Sequence, residues 1–312
     1  MIKVSVIVAA YNVEQYIEKC IESLVKQTLD SIQIIVVDDG SKDSISLILK
    51  KFADQIEYYH KENGGLSDAR NFGLSFVNGE YVSFVDGDDF CELNMYEKLY
   101  EEAKKNDFDL VECAYFRDYE NYSIIKHAVK NNKSKISCNP SGQWNKLIRT
   151  ETIRKANLKF LKDIWYEDYN FNAKLIPFLK TTGVLDTPLY HYVQHSGSIM
   201  HSITLKIKDI YTATDDILDF YKKNNIFDQF STDLEYLICK EILLSSGLRC
   251  LEYDKKNKTH LVQENYSYLM EKFPNWKKNK FLRQFTVENL CMRFMNKFTV
   301  FFILQFIKFA KR

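Results

Sequence analysis

Glycine and proline are scarce in this chain of 312 residues, ten and four respectively, which excludes a collagen-like or low-complexity polymer. Paired cysteines are missing as well. Cys20, Cys91, Cys113, Cys138, Cys239, Cys250 and Cys291 stand singly with no Cys-x-x-Cys, so neither a zinc knuckle nor a redox dithiol is suggested. Their odd number and apolar surroundings suit a reducing compartment. No signal peptide is expected, because Met1 to Ser5 run straight into a strand pattern without a small-residue cleavage site. The carboxyl end lacks acid: from Lys277 to Arg312 there are nine Lys or Arg and only Glu288 against them. The other 276 residues carry 34 basic and 41 acidic side chains. An acidic body with a basic apolar tail points to a membrane surface and not to nucleic acid, which favours a basic body.

The remaining composition, 46% hydrophobic and 27% charged, is enough for a sizeable core in one large domain or two. Lys3 to Ala10 is nearly continuously apolar, as expected of a strand covered on both faces. Helical spacing follows over 13–29, then a second buried strand over 32–37, a helix over 44–53 and a third strand over 56–60. A helix over 66–77 and a fourth strand over 81–85 complete the series. Strict alternation implies a parallel sheet with right-handed crossovers. After Asp107 the pattern loosens: strands are expected over 110–117 and 122–127, a polar loop over 131–139, a helix over 167–179 and a strand over 182–193. Beyond Lys206 three helices are expected, at about 206–224, 232–252 and 259–273.

In an open parallel sheet the ligand sits beyond the carboxyl ends of the strands. Those ends carry Tyr11-Asn12, Asp38-Asp39-Gly40-Ser41, Asn63-Gly64-Gly65 and Asp86-Gly87-Asp88-Asp89. Five carboxylates gathered on one edge repel one another unless a cation joins them. A hard divalent ion, Mg²⁺ or Mn²⁺, fits, since such ions take one or two carboxylates plus substrate phosphates. One such Asp would ordinarily be read as a helix cap or turn residue; the whole set is harder to dismiss.

The ordered segments VSVIVAAYN from Val4, VVDDGS from Val36, NGGLSDARN from Asn63 and FVDGDD from Phe84 resemble glycosyltransferase family 2. The likeness is close over the first ninety or so residues. It continues in Trp144-Asn145-Lys146-Leu147, in Glu167-Asp168 and from Tyr190 to Ser202. It implies an α/β architecture of the GT-A kind, a Rossmann-like, mainly parallel sheet flanked by helices. On that reading residues 1–203 form the catalytic domain, with a nucleotide-sugar half over 1–106 and an acceptor half over 107–203. A helical extension over 204–312 would follow, ending in the basic apolar tail 297–312.

Carried onto these positions, the resemblance implies that Asp39 accepts a hydrogen bond from the nucleobase, commonly uracil, while Ala9 and Tyr11 line the base pocket. Arg70 would lie near the nucleotide, where a guanidinium suits phosphate. Asp86-Gly87-Asp88 is the family's DxD element, with Asp86 and Gly87 toward the donor and Asp88 on a Mn²⁺ or Mg²⁺ that bridges the phosphates. The ion would act as a Lewis acid toward the departing diphosphate. Asp89 would hold donor-sugar hydroxyls or position its neighbour. Asp168 is the implied base of a single inverting displacement. Glu167-Asp168 opens a helix whose dipole favours a carboxylate, and Trp165, Tyr166 and Tyr169 flank it. His201 is the implied further metal or phosphate contact, chosen over His191 and His195. Trp144, Lys146 and Glu167 would shape the acceptor side.

The expected activity is transfer of a hexosyl or N-acetylhexosaminyl group from a UDP-sugar to a glycan or lipid-linked glycan, as in polysaccharide synthesis. A nucleotidyltransferase is disfavoured, because no Gly-rich, Arg/Lys-bearing loop follows the first strand. A phosphatase would need a nucleophilic Asp where Ala9-Ala10 stand. A non-catalytic sugar-nucleotide or glycan-binding module on the same fold is the alternative. The tail's apolar run is too short to span a bilayer, which takes roughly twenty residues. With Lys297, Gln305, Lys308 and Arg312 on one side of a helical wheel, it is expected to lie on a membrane surface, competing with docking on the body or a homodimer contact. The expected location is cytoplasmic, at the inner face of the membrane.

Overall fold

The computed structural model describes residues 1–128, 142–195 and 204–310, with the side chains of Lys255 and Lys256 left aside. The expected polar loop at 131–139 and the candidate His201 lie outside the described residues. The chain divides into two compact units, Met1–Asp163 with Glu167–His201, and Ile164–Tyr166 with Ser202–Arg312.

In the first unit, β1 (Val4–Ala10), β2 (Ile32–Asp38), β3 (Glu57–His60) and β4 (Tyr81–Asp86) pair in parallel in the order β3-β2-β1-β4. All seven residues of β1 are buried, as the unbroken apolar run demands for a strand between two neighbours. Helix α1 (Ile17–Val25) covers the sheet with Ile17, Cys20, Ile21 and Leu24. It starts four residues later than its periodicity suggests. The preceding loop is held by its neighbour, since the Glu14 amide donates to Asp43 (2.9 Å) and the Ser44 amide to Glu14 (2.8 Å). The helix expected over 44–53 is only α2 (Ile45–Leu49) followed by one tighter turn. Helix α3 (Leu66–Leu74) leads back to β4.

The second half of this unit departs from strict alternation. The sequence reading assigns nothing over 90–106, where the structure has β5 (Phe90–Cys91) and α4 (Met95–Asn106), the latter buried through Met95, Tyr96, Leu99 and Ala103. The sheet continues through β6 (Leu110–Asp118), with β7 (Ser123–Lys126) folded onto its end, then β8 (Lys146–Arg149) and β9 (Thr182–Val193). Beyond β4 the order is β8-β6-β9-β5, and β8 runs antiparallel to both β4 and β6. Helix α5 (Thr150–Lys155) follows β8, and α6 (Glu167–Leu175) precedes β9. Trp144 lies in the turn ahead of β8 and not on a strand.

The second unit is helical: α7 (Asp209–Lys223), α8 (Phe227–Lys240), α9 (Gly247–Cys250), α10 (Lys255–Lys272), α11 (Val287–Phe294) and α12 (Val300–Ala310). The single helix expected over 232–252 is interrupted by a wider π-type segment, Glu241–Ser246. A π-type turn displaces carbonyls from the regular ladder. Here Asn265 meets the displacement, its amide donating to the Ile242 carbonyl (3.0 Å) and the Ser246 hydroxyl (3.1 Å). No helix among the described residues is long and apolar enough to cross a membrane.

Candidate active site

The order β3-β2-β1-β4 places the switch point of the parallel half between β1 and β4, where the loops beyond the carboxyl ends diverge. At the end of β1, Ala9 is buried and the Tyr11 ring is exposed. Asn12 takes a left-handed φ of 52° and ties this loop to the next. Its amide donates to Ser41 Oγ (3.0 Å), and its Oδ1 accepts from the Lys42 amide (2.9 Å).

The aspartates at the end of β2 are both buried and both satisfied. Asp38 accepts from the Ser41 amide (2.9 Å) and the Tyr58 hydroxyl (2.8 Å), with His60 Nδ1 at 2.8 Å. Burial works against its ionisation, but the bonds from Ser41, His60 and Tyr58 outweigh it and hold the carboxyl below its ordinary value. Asp39 accepts from the amides of Gly64 (3.0 Å) and Gly65 (2.6 Å) and from Lys61 Nζ (2.7 Å). Gly65 meets it at φ 83°, a conformation open to glycine at little cost, so the Asn63-Gly64-Gly65 turn is fastened to β2.

Arg70, on α3, is fully buried. Its Nη2 donates to Asp86 Oδ1 (2.8 Å), and its Nη1 donates to Asp168 Oδ1 (2.7 Å) and lies 3.6 Å from Glu167 Oε1. Burial opposes the charge on this guanidinium, but Asp168, Asp86 and Glu167 outweigh it and raise its pKa. It therefore joins the end of β4 to the first turn of α6. The guanidinium expected near the nucleotide is engaged with carboxylates, and its Nε has no hydrogen-bond partner among the described residues.

Gly87 donates its amide to the Ala9 carbonyl (3.0 Å), and a Cβ there would come within 3.1 Å of that oxygen, so a side chain would push the turn after β4 away from β1 by a few tenths of an ångström. Asp88 Oδ2 lies 2.8 Å from His195 Nε2, whose ring stacks on Tyr16 with centroids 4.7 Å apart. Burial, then the Asp86 charge, push the Asp88 carboxyl up, and His195 offsets only part of this. Asp89 is buried and held at both oxygens: Oδ2 accepts from the Tyr190 hydroxyl (2.7 Å) and Oδ1 from the Val193 amide (2.8 Å). Burial and its neighbours Asp88 and Asp86 drive its carboxyl well above the ordinary value. This is a positioning geometry, set by the pairing of β5 with β9.

Glu167 and Asp168 open α6. Burial raises both carboxyls, with Asp168 adding to the effect on Glu167 and Arg70 opposing it on each. Lys146 is buried, donating to the Gly142 carbonyl, and its charge also favours the Asp168 carboxylate. Trp144 stacks between Tyr190 (4.7 Å) and Tyr192 (5.3 Å), edge-on to Tyr115. Of the aromatics expected around Asp168, Tyr169 is buried in this unit, whereas Trp165 belongs to the helical unit, with its ring 4.3 Å from the Arg249 guanidinium.

Two residues of this constellation escape the sequence reading. His195 is mentioned there only beside the preferred His201; its signal is its place two residues past β9, the strand paired to the segment that follows Asp88. Gln143, fully buried with Nε2 3.5 Å from the Asp168 carbonyl oxygen, carries no pattern of its own. Among the described residues no three His, Cys, Asp or Glu side chains converge as a metal cage.

The family model for glycosyl transferase family 2 matches residues 5–165. The Bacillus subtilis (strain 168) protein named uncharacterized glycosyltransferase EpsJ is 32% identical over 263 residues, covering 77% of this chain and 76% of its own. Among solved structures, S. aureus TarS 1–349 in complex with UDP superposes with a TM-score of 0.71 at 18% identity, over 99% of this chain and 92% of that one. Its complex with UDP-GlcNAc gives 0.62 at 21% identity, over 94% and 78%. The fold is the GT-A fold expected from the motifs.

Proposed function

The chain belongs to glycosyltransferase family 2, and from that premise we propose that it transfers a hexosyl or N-acetylhexosaminyl group from a UDP-sugar to a hydroxyl of a glycan or lipid-linked glycan. One observation carries the reading. Arg70 ties Asp86 to Asp168 at the switch point of the sheet, so the DxD element and a partly buried carboxylate share one site. The UDP and UDP-GlcNAc bound to TarS, on the same fold, support the donor class.

The catalytic work is assigned to 1–203, with the donor on 1–106 and the acceptor entering from the 107–203 side, along Trp144, Lys146 and Glu167. Ala9, Tyr11 and Asp39 take the base. Tyr11 offers an exposed ring, and Asp39 retains lone-pair capacity beyond its three donors. Asp86, Gly87 and Asp89 shape the donor floor, with Asp89 acting through Tyr190 and β9.

A divalent ion fits this donor set. Asp88 is partly buried and crowded by Asp86, with His195 Nε2 2.8 Å from its Oδ2, so its carboxylate oxygens are offered where negative charge is under-compensated. Mg²⁺ and Mn²⁺ are commonly held by so few protein ligands when phosphates complete the shell. Bound by Asp88, the ion would supply Lewis acidity toward the diphosphate. His201 is a further candidate ligand.

The protein's own part is proton removal. Asp168 accepts the acceptor hydroxyl's proton while that oxygen bonds to the anomeric carbon. The bond from that carbon to the diphosphate oxygen breaks, the electron pair leaving with UDP, and a single displacement inverts the centre. Burial raises the basicity of Asp168, and Arg70 fixes its direction. A lipid-linked acceptor would place this chemistry at the inner face of the membrane.

The test is UDP release from a panel of sugar nucleotides with Mn²⁺, Mg²⁺ or chelator. Metal-dependent release from one donor, abolished in Asp88→Ala, supports the proposal. Binding of a sugar nucleotide without turnover, given glycan and lipid-linked acceptors, would shift the assignment to a binding module.

A further inference from the structure

Seventeen large apolar side chains are conspicuously exposed among the described residues, and eight of them fall between Phe285 and Phe309. Six of the eight are phenylalanines, and no other Phe is in that exposed set. On α12, Val300, Leu304 and Ile307 are buried within the helical unit, and Leu304 packs on Gly247, where a Cβ would come within 3.0 Å. The opposite face presents Phe302, Phe306 and Phe309, exposed by 68%, 63% and 78%, with Phe298 ahead of them at 82%. Helix α11 repeats the arrangement. Asn289 and Met292 are buried, while Val287, Leu290 and Phe294 line one exposed face, and Phe285 precedes it. The turn between them is braced: Thr299 Oγ donates to the Phe294 carbonyl (2.6 Å), and Asn296 Oδ1 accepts from the Phe298 amide (2.8 Å). The aromatics thus stand on a fixed two-helix element, although sequence periodicity points only to the tail.

Charge decides what such a surface can meet. Lys277, Lys278, Lys280, Arg283 and Lys297 are exposed and have no acidic partner among the described residues, and Glu288 is the only acid of this stretch. A second copy meeting the same patch about a twofold axis would set this charge against itself. An anionic bilayer interface offers opposite charge and an apolar layer for the rings.

We propose that α11 and α12 form one docking surface for an anionic lipid bilayer, with the phenylalanines entering the interface and the flanking lysines and arginines holding headgroups. This does not rest on the sugar transferred or on any residue of the transfer site, so the two proposals fail separately.

The test is flotation of the full chain with vesicles of phosphatidylcholine alone or with added phosphatidylglycerol. The expected result is at least about tenfold stronger binding to the anionic vesicles, weakening with salt. Phe302→Ser with Phe306→Ser should lower it about tenfold or more, and so, independently, should Leu290→Ser with Phe294→Ser. Circular dichroism and melting temperature confirm that the variants are folded. Failure of the wild type to float, or flotation unaffected by both pairs, overturns the proposal. So does light scattering that shows a dimer dissociated by the same substitutions, which would assign the face to a second copy.

Discussion

The loops after β2 and β4 each bring consecutive aspartates to the same sheet edge, and the fold treats them in opposite ways. Asp38 and Asp39 are met by backbone amides, by Tyr58, His60 and Lys61, and Asp38 ionises more readily than a free aspartate. Burial drives up the carboxyls of Asp88 and Asp89, and the Asp86 charge adds to both. Asp89 has hydrogen bonds from Tyr190 and Val193, whereas the side chain that meets Asp88 among the described residues is His195. The first pair builds the edge. The second leaves a deficit of positive charge that a ligand can fill, which is a general feature of sites doing chemistry.

The strongest way to break this comparison is at the carboxylate linked to the second loop through Arg70. Asp168→Asn should lower transfer by about a thousandfold, in the range of general-base loss, with the melting temperature held or raised. The sign follows from linkage. A carboxyl with a raised folded-state value gives stability that is present below its unfolded value and lost as pH rises through the folded one, so its removal relieves a cost at neutral pH. In the wild type, activity should rise with pH through a value above that of ordinary aspartate. Kinetics and melting on one preparation decide this; a large loss of stability would mean that Asp168 is structural.

Asp88→Asn should cost about a hundredfold in turnover, the size of one electrostatic contact to a leaving group. Manganese and UDP together should raise the wild-type melting temperature by an amount equivalent to about 3 kcal/mol at a hundredfold excess over Kd, and this shift should vanish in the variant. Asp39→Ala, besides losing the proposed contact to the base, should differ in costing stability. It strands the Gly64 and Gly65 amides and Lys61, costing about 2 kcal/mol of stability in denaturant titration. An Asp39→Ala protein of wild-type stability would erase the distinction between the loops.

The parallel half is legible because β1, β2 and β4 are buried apolar runs and each aspartate of the edge sits within three positions of a strand end. Asp38, Asp39, Asp86 and Asp88 needed only that rule to be collected. What escaped is what tertiary pairing makes. Arg70 was assigned to phosphate, yet its partners Asp86 and Asp168 lie 16 and 98 residues away and no local pattern links them. His195 reaches Asp88 across 107 residues through the β5–β9 pairing, and β5 has two residues, too few for a periodic signal. Helix α4 did carry helical spacing at Met95, Leu99 and Ala103, and could have been found. The wide turn after α8 is met by Asn265, a side chain 19 residues past Ser246.

Glu241 gives the comparison its sharpest control. It lies at the start of that wide turn in the helical unit, buried, with no part in the transfer site. Burial pushes its carboxyl up to about 7, opposed only by a Ser245 hydrogen bond and the Lys240 charge. In electrostatic terms it resembles Asp88, but no second carboxylate crowds it. If a raised carboxyl by itself marked a ligand site, Glu241→Gln would alter the response to manganese and UDP. The expectation is that it does not. The substitution should instead add about 3 kcal/mol of stability at pH 8 and almost nothing at pH 4, because the wild-type penalty develops as pH rises from the unfolded glutamate value through about 7. Denaturant titrations of both proteins from pH 4 to pH 8 measure that difference. Parallel curves would mean that water or a cation already reaches Glu241, and that burial is not what sets its titration.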